Sequence, residues 1–309
     1  MCGIAGCFGA KDTQTVNKML DALPHRGPDD RGLYANGQSV LGHTRLSIVD
    51  VARGHQPILG PDHRYGIIAN GEIYNFRRLR ERYLRYYDFQ TRSDTEVILR
   101  LYQEKGPQCV EYLDGMFAFA IMDGDDFMLA RDPLGIKPLY YGHQDGNLYV
   151  CSEVGPMTEA GIEDIHEFPN GYYYTPQEEF VPYYQLPERE ESVLSDVEEI
   201  SQLIRERFIA AVQKRLLADS TVPVGSFCSG GLDSSLIAAI AAEDIPDLHT
   251  FVVGMENAQG VVSDDLKASW QVAEHIGSNH HELIFTEEDY YAALPTAIRK
   301  VESYDPSLV

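Results

Sequence analysis

Short apolar runs, separated by Gly, Asn and Asp turns, fill the first 185 residues and predict a domain rich in strands. Helical patterns interrupt these runs at residues 13–23, 75–86 and 93–105. The last of these has Ser93 at its start and Glu96 three residues on, which predicts a capping box. The runs that we interpret as strands lie at residues 2–8, 39–43, 65–70, 117–122, 127–131, 139–142 and 148–152. Strands with interspersed helices predict a layered α+β domain.

The pattern changes beyond residue 185, where an acidic segment with Pro187 shows no strand signal. Strands and helices alternate after it, which predicts the beginning of a parallel α/β sheet. The elements predicted there are strands at 222–227, 250–253 and 281–285, and helices at 195–217, 234–243 and 265–276. We therefore predict a first domain over residues 1–185, a linker over 186–200 and a second domain over 201–309.

Charge and cysteine content exclude some classes of protein. The formal charge is -23, from 25 Lys and Arg against 48 Asp and Glu, so we expect neither nucleic acid nor an anionic membrane as a partner. No apolar run approaches the ~20 residues of a membrane helix. The five cysteines are odd in number and form no CxxC pair, which argues against a disulfide framework or zinc ribbon and indicates a reducing, cytoplasmic compartment.

Cys2 directly follows the initiator Met1. A small second residue permits removal of Met1, which would give Cys2 a free α-amine with a pKa of about 7.7–8.0. Such an amine can accept the thiol proton without a separate histidine, and this arrangement is known for activated nucleophiles.

Polar residues follow several of the predicted strands. Arg45 offers a guanidinium suited to a carboxylate. Asn70 and Gly71 offer an amide and a backbone N–H that can face an oxyanion. Asp94 offers an anion for a ligand ammonium. Taken singly, each residue is more typical of a strand end or a helix cap.

Together these segments resemble a known family. The segments MCGIAG, HRGPDD, GHTRLSIVD, QPI, NGEIYN, RSDTEVIL, LDGMFAFAIMD and ARDPLGIKPLYY are similar to the glutamine-hydrolysing asparagine synthetases, and the resemblance runs in order from Cys2 to the end of the chain. It implies an N-terminal-nucleophile fold, a four-layer αββα sandwich, followed by a partial Rossmann-like α/β ATP-pyrophosphatase domain.

The resemblance also implies roles for the polar residues. Cys2 would attack the glutamine amide to form a thioester, and Asn70 and Gly71 would stabilise the oxyanion. Arg45 would hold the α-carboxylate of glutamine, and Glu72 and Asp94 would hold its ammonium. The segment that completes the predicted glutamine pocket consists of Leu46, Ser47, Ile48 and Val49.

A Gly-rich turn in the second domain carries the sequence SGGLDSS. It lacks the GK[ST] of a Walker A loop, but a strand leads into it and a helix follows, so backbone N–H groups would face an anion. It resembles the pyrophosphate loop of enzymes that split ATP into AMP and pyrophosphate. The ATP-binding residues implied are Cys228, Ser229, Gly230, Gly231, Asp233, Ser234 and Val253, with Asp233 also as a Mg²⁺ ligand.

The family reaction joins the two domains. ATP would adenylate aspartate, and ammonia from glutamine would attack the adenylate to give asparagine. The implied ligands are glutamine, aspartate and ATP with Mg²⁺, with no tightly bound organic cofactor, and a homodimer is the family expectation. The sequence departs from the family at Cys228 and Phe227, which replace aliphatic residues, and at Gly155, which replaces a lysine. It ends at Val309, before the family's SGEGSDE segment, so we expect a fragment or a truncated product.

Three alternatives stay open at this stage. The chain could be a glutaminase alone, or it could be an amidotransferase with another acceptor, as in glucosamine-phosphate synthase or the purine amidotransferase. It could also be a non-catalytic subunit. The SGGLDSS segment disfavours another acceptor, and the joint presence of Cys2, Arg45, Asn70 and Asp94 disfavours a non-catalytic protein.

Overall fold

A computed structural model describes residues 1–188, 196–255 and 263–302 of the chain. It divides into two compact units, which we call unit 1 (Met1–Glu188) and unit 2 (Arg189–Val309). Residues 189–195 of the predicted linker lie outside the described residues.

Unit 1, described over its whole length, contains two six-stranded sheets and four α-helices. Its strands are β1 (Gly3–Phe8), β2 (Asp30–Asn36), β3 (Ser39–Arg45), β4 (Ile58–Leu59), β5 (Tyr65–Ile73), β6 (Gly115–Asp123), β7 (Asp126–Arg131), β8 (Tyr140–Gln144), β9 (Asn147–Cys151), β10 (His166–Glu167), β11 (Tyr172–Thr175) and β12 (Glu179–Pro182). Its helices are α1 (Thr13–Asp21), α2 (Phe76–Tyr83), α3 (Asp94–Lys105) and α4 (Val154–Ala160), and a 3₁₀ helix covers Gly106–Tyr112. The sheets have the orders β10-β8-β9-β1-β3-β2 and β12-β11-β7-β6-β5-β4.

Two apolar layers hold the first sheet between the second sheet and a pair of helices. Ile4 and Phe8 of β1 pack toward β6 and β7 of the second sheet, and Ala5 and Cys7 of the same strand pack toward α1 and α4. On the other side, α3 packs against β5, and α2 packs against α3. The layer order is therefore αββα, which confirms the predicted sandwich.

Burial on both faces explains why β1 is recognisable as one continuous apolar run. β2 was not predicted because it is an edge strand whose residues stay half-exposed. The predicted capping box is wrong, although Ser93 does cap the helix. Ser93 accepts from the N–H of Thr95, but Glu96 turns away and accepts from the N–H groups of Gln90 and Thr91.

Unit 2 contains, in its described residues, a three-stranded parallel sheet with helices. The strands are β13 (Gly225–Phe227), β14 (His249–Met255) and β15 (Asn279–Phe285), in that order, and the helices are α5 (Val197–Lys214), α6 (Leu232–Asp244), α7 (Asp264–Ile276) and α8 (Glu287–Val301). The partial parallel α/β domain is thereby confirmed. One face of the sheet carries the exposed side chains of Phe227, Phe251, Val253, Met255 and Leu283. Across the described part of the chain, no helix is both long and apolar enough to cross a membrane.

Candidate active site

A small cavity of about 80 Å³ lies in unit 1 where β3, β5 and α3 meet the N-terminus. The pairing of β1 with β3 brings the N-terminus beside Arg45 at the end of β3. The residues that line the cavity are Met1, Cys2, Arg45, Leu46, Ile48, Val49, Gly54, Gln56, Ala69, Asn70, Gly71, Glu72, Ser93, Asp94, Thr95 and Lys137. Residues from six separate segments of the chain therefore converge on one small space.

The Cys2 thiol lies against the main chain of Leu46. It donates to Leu46 O at 3.6 Å and accepts from Leu46 N–H at 3.4 Å. Burial raises the pKa of this thiol. The Cys2 carbonyl is fixed as well, because it accepts from Arg26 Nε at 3.0 Å, and Arg26 is held by the buried Glu153 at 3.0 Å.

Asn70 lies on the other side of the Cys2 carbonyl. In the amide orientation that satisfies its partners, Nδ2 donates to Cys2 O at 3.2 Å and Oδ1 accepts from Arg26 Nη2 at 3.3 Å. Gln56 fixes the preceding residue, since its side chain accepts from Ala69 N–H at 2.7 Å and donates to Ala69 O at 3.3 Å. Gly71 has no space for a side chain, because a Cβ there would lie 2.3 Å from Met116 O. The amide is thus held beside the thiol.

The Arg45 guanidinium organises the loop that follows β3. It donates to the carbonyl oxygens of Val49, Asp50 and Val51 at 3.1, 2.8 and 3.1 Å. These bonds use three of its five N–H groups, so two can face a ligand carboxylate. Gly54 allows this packing, since a Cβ there would lie 2.5 Å from Arg45 Nη2.

Two carboxylates lie near each other in the cavity. Asp94, the first residue of α3, accepts from the N–H groups of Ile73 and Thr95 at 2.8 and 3.0 Å, and burial raises its pKa. Burial and the neighbouring Asp94 raise the pKa of Glu72 to about 7, against a lowering by Lys137. A cationic ligand group would stabilise both carboxylates in their ionised form.

Most of the sequence-predicted residues for glutamine binding lie in this cavity, and one does not. Ser47 does not line the cavity, and its N–H donates to the Asp29 carboxylate at 2.7 Å. Gln56 and Lys137 also line the cavity, and neither was predicted as a site residue. Gln56 lies in the QPI segment and Lys137 in ARDPLGIKPLYY, so membership of a family-like segment was the only available signal.

The Gly-rich turn of unit 2 joins β13 to α6, as predicted. Gly230 has φ +81°, and a Cβ there would lie 2.5 Å from the Cβ of Ala268. The Ser234 hydroxyl accepts from Ser229 N–H at 3.2 Å and so folds the turn over the beginning of the helix. The helix N-terminus and the turn form a place where backbone N–H groups can meet an anion.

The remaining residues predicted for ATP lie around this turn. Asp233 lies in the first turn of α6, and Val253 lies on the neighbouring β14. The N–H of the buried Cys228 donates to Phe251 O at 2.8 Å, so this group is used by the sheet.

Comparison with known proteins agrees with this geometry. Residues 1–202 match the glutamine amidotransferase domain family, and residues 203–308 match the asparagine synthase family. The chain has the fold of the glutamine phosphoribosylpyrophosphate amidotransferase from B. subtilis, with a TM-score of 0.57 at 17% identity over 93% of this chain and 91% of that one. The chain belongs to the glutamine amidotransferase family.

Within that class it is similar to the glutamine-hydrolysing asparagine synthetases. It is 40% identical to asparagine synthetase 1 of Arabidopsis thaliana and 40% identical to asparagine synthetase B of Escherichia coli K12, each over 100% of this chain. The chain spans about half the length of these relatives, 54% and 58% respectively.

Proposed function

We propose that unit 1 hydrolyses glutamine to glutamate and ammonia, with Cys2 as the nucleophile after removal of Met1. One observation carries this proposal. A single cavity gathers a thiol, an amide, a guanidinium and two carboxylates, which are the groups that an amide-cleaving site for an α-amino acid needs. The match of residues 1–202 to the glutamine amidotransferase domain supports it.

The reaction follows from the positions of these groups. The α-amine of Cys2 takes the proton from Sγ, and the thiolate attacks the amide carbon of glutamine. The oxyanion receives hydrogen bonds from the Asn70 side chain and the Gly71 N–H. The C–N bond breaks, the amine returns its proton to the leaving ammonia, and a thioester remains. Water then cleaves the thioester to give glutamate and the free thiol.

The α-carboxylate and the ammonium of glutamine would orient it in the cavity. The positive charge of Arg45, with an N–H group that the loop does not use, would bind its α-carboxylate, and Glu72 and Asp94 would bind its ammonium. Leu46, Ile48 and Val49 line the side of the cavity between these groups. Ser47 belongs to the proposed pocket as the link between Leu46 and Ile48, which line it, and its own N–H is bonded to Asp29.

We further propose that unit 2 is part of an asparagine synthetase, which adenylates aspartate with ATP and passes ammonia to the adenylate. The turn at Ser229–Gly231 would bind phosphate. Asp233, a single carboxylate at the beginning of α6, fits a Mg²⁺ ion held by one carboxylate together with ATP phosphates. Mg²⁺ would neutralise phosphate charge there, and no organic cofactor is proposed.

The remaining parts of the proposal rest on sequence and similarity alone. They are the domains 1–185 and 201–309 with a linker at 186–200, a cytoplasmic location, a homodimer, and no nucleic-acid or membrane partner. Size-exclusion chromatography with light scattering tests the dimer.

The first experiment measures glutamate release from glutamine by the purified chain, with N-terminal sequencing to establish that Met1 has been removed. We expect hydrolysis that needs no ATP and disappears in Cys2→Ala. Cys7→Ala is the matched control, because it removes a buried thiol outside the cavity and should remain active. A folded, processed chain without activity would overturn the proposal.

A second assay separates a synthetase from a glutaminase. It supplies aspartate, ATP, Mg²⁺ and ammonium, and it measures asparagine and AMP. Formation of both supports the synthetase proposal for this chain. Glutamate release in the first assay with no asparagine in this one would show that this chain, which spans about half the length of the synthetases, acts by itself only as a glutaminase.

A further inference from the structure

Lys137 is a buried cation that the proposed hydrolysis does not use. Its side chain lines the cavity, the residue is only 6% exposed, and its ammonium donates to Met1 Sδ at 3.4 Å. Burial of an ammonium is costly unless it has partners. Consistent with that cost, burial lowers the pKa of Lys137, while the attraction of Glu72 acts in the opposite direction.

The loop between β7 and β8 is built to aim this side chain into the cavity. Buried Asp132 binds four backbone N–H groups, those of Leu134 (3.1 Å), Ile136 (2.9 Å), Lys137 (2.9 Å) and Phe117 (3.2 Å). Arg131 Nε donates to the Lys137 carbonyl at 2.8 Å. Two buried charged residues therefore fix the main chain at Lys137 from both sides, which is the expected support for a side chain that must point in one direction.

Charge counting gives a reason for a cation at this point. Besides Lys137, the charged groups around this end of the cavity are the N-terminal amine, Arg26 with its partner Glu153, Asp29, Arg45, Glu72, Asp94 and Asp132. Arg45 is balanced by the carboxylate of an α-amino acid ligand. Glu72 and Asp94 together carry two negative charges, but the ligand offers them only one ammonium. A second cation beside this pair therefore favours the state in which both carboxylates are ionised.

We propose that Lys137 is a positioning residue for the ammonium subsite, where its charge favours the ionised form of Glu72 beside Asp94 so that both carboxylates can bind the ammonium of glutamine. This inference rests on the proposed glutaminase function. It assigns Lys137 to the binding of an α-amino acid and not to bond cleavage.

The test compares Lys137→Met, which keeps the length of the chain and removes the charge, with Lys137→Arg, which keeps the charge. In steady-state glutamine hydrolysis near pH 7, Lys137→Met should raise KM by roughly three- to tenfold, which corresponds to about one unit in the pKa of one carboxylate. The effect on kcat should be smaller. Lys137→Arg should restore most of the loss in KM.

The pH profile identifies the group through which Lys137 acts. Ionisation of Glu72 is needed for binding, so its loss on acidification contributes to the acidic limb of kcat/KM. Removal of the neighbouring cation raises the pKa of Glu72, and the limb should therefore move to higher pH in Lys137→Met. In a Glu72→Gln background the same substitution should leave the limb where it is.

The outcomes separate the two proposals. A folded, processed parent chain that does not hydrolyse glutamine contradicts the proposed function. An active parent whose pH profile and KM are unchanged in Lys137→Met contradicts the inference about Lys137 alone. A loss confined to kcat, or an equal shift of the limb in the Glu72→Gln background, also overturns it. Circular dichroism of each variant establishes that a change in KM is not a loss of fold.

Discussion

Asn70 and Cys2 meet through the amide of one and the main-chain carbonyl of the other, at 3.2 Å. Arg26 and Glu153 hold that carbonyl from the opposite side. The amide is therefore in place before any ligand arrives, and donors fixed in advance stabilise an oxyanion more effectively than donors that must reorganise.

We expect Asn70→Ala to lower kcat for glutamine hydrolysis by about 100- to 1,000-fold, the usual cost of one lost oxyanion donor, with a much smaller change in KM. Asn75→Ala is a matched control, since the Asn75 side chain bonds to the main chain of Tyr112 and Asp114, outside the cavity. The control should change thermal stability and leave kcat near that of the parent. Equal kcat in Asn70→Ala and the parent would remove Asn70 from the mechanism.

Glu72 links the site to the stability of the chain. Its folded-state pKa of about 7 lies above the ordinary 4.5. Between these values the folded chain keeps a proton that the unfolded chain has lost, so stability falls as pH rises through that window. Glu72→Gln should therefore raise Tm at about pH 8 and leave it unchanged below about pH 4.5. Thermal unfolding at the two pH values checks this, and a Tm difference that does not depend on pH would contradict it.

Residues that line the cavity could be predicted from the sequence where a reactive or charged side chain stands at the end of a strand or the start of a helix. Cys2, Arg45, Asn70 and Asp94 carry reactive or charged groups at strand ends or helix starts, and they lie in one cavity. Lys137 could not be found in this way, because it meets Met1 across 136 positions of the chain and its placement depends on the buried Asp132. The roles of Cys2, Arg45, Asn70, Asp94 and Lys137 remain predictions until the variants are measured.

Among the elements, α3 has the most direct connection to the site, because its first residue is Asp94. Glu96, two residues on, is fully buried and binds the N–H groups of Gln90 and Thr91 and the guanidinium of Arg100. The chain before α3 is therefore fastened to the helix by one carboxylate.

Replacement of Glu96 by Ala should cost about 3–5 kcal/mol of unfolding free energy, because it leaves the charge of Arg100 buried without its partner. Glu81→Ala on the exposed surface of α2 is the control and should change stability by less than about 0.5 kcal/mol. Urea denaturation of both variants measures the difference. A cost as small as that of the control would mean that Arg100 finds another partner.

Glu96 also illustrates why helix α3 could be predicted from the sequence although the hydrogen bonds at its start could not. The pattern Ser-x-x-Glu predicted the start of α3 correctly, since Ser93 does cap it. The carboxylate of Glu96 does not bond to the N–H of Ser93, because Arg100 on the next turn and the backbone at 90–91 provide buried partners for it. Such tertiary competition is not visible in a local pattern.

At the scale of the whole molecule, the division after Glu188 gives unit 1 its own core and a complete cavity. We expect a chain of residues 1–188 to fold and to hydrolyse glutamine at a rate within a few-fold of the full chain, with no response to ATP. The Cys2→Ala version of the shorter chain is the control. An unfolded or inactive 1–188 chain would show that unit 1 depends on unit 2.

Unit 2 differs in its surface, because the β13–β15 sheet exposes Phe227, Phe251, Val253, Met255 and Leu283 on one face. Parallel sheets are normally covered on both faces, and an exposed apolar patch of this kind binds apolar dyes. The full chain should therefore enhance the fluorescence of anilinonaphthalene sulfonate, and the 1–188 chain should do so much less. Equal enhancement by the two chains would contradict the assignment of the patch to unit 2.

Met1 lines the same cavity as the thiol, and the ammonium of Lys137 donates to its sulfur. In a newly synthesised chain, Met1 would therefore occupy part of the proposed glutamine-binding cavity. Activity would then begin only when the host's methionine aminopeptidase removes Met1, and the chain would be inactive between its synthesis and that cleavage. An affinity tag fused ahead of Met1 would keep the chain inactive, because Cys2 would not acquire a free α-amine. A tag at the C-terminus would leave this step unaffected.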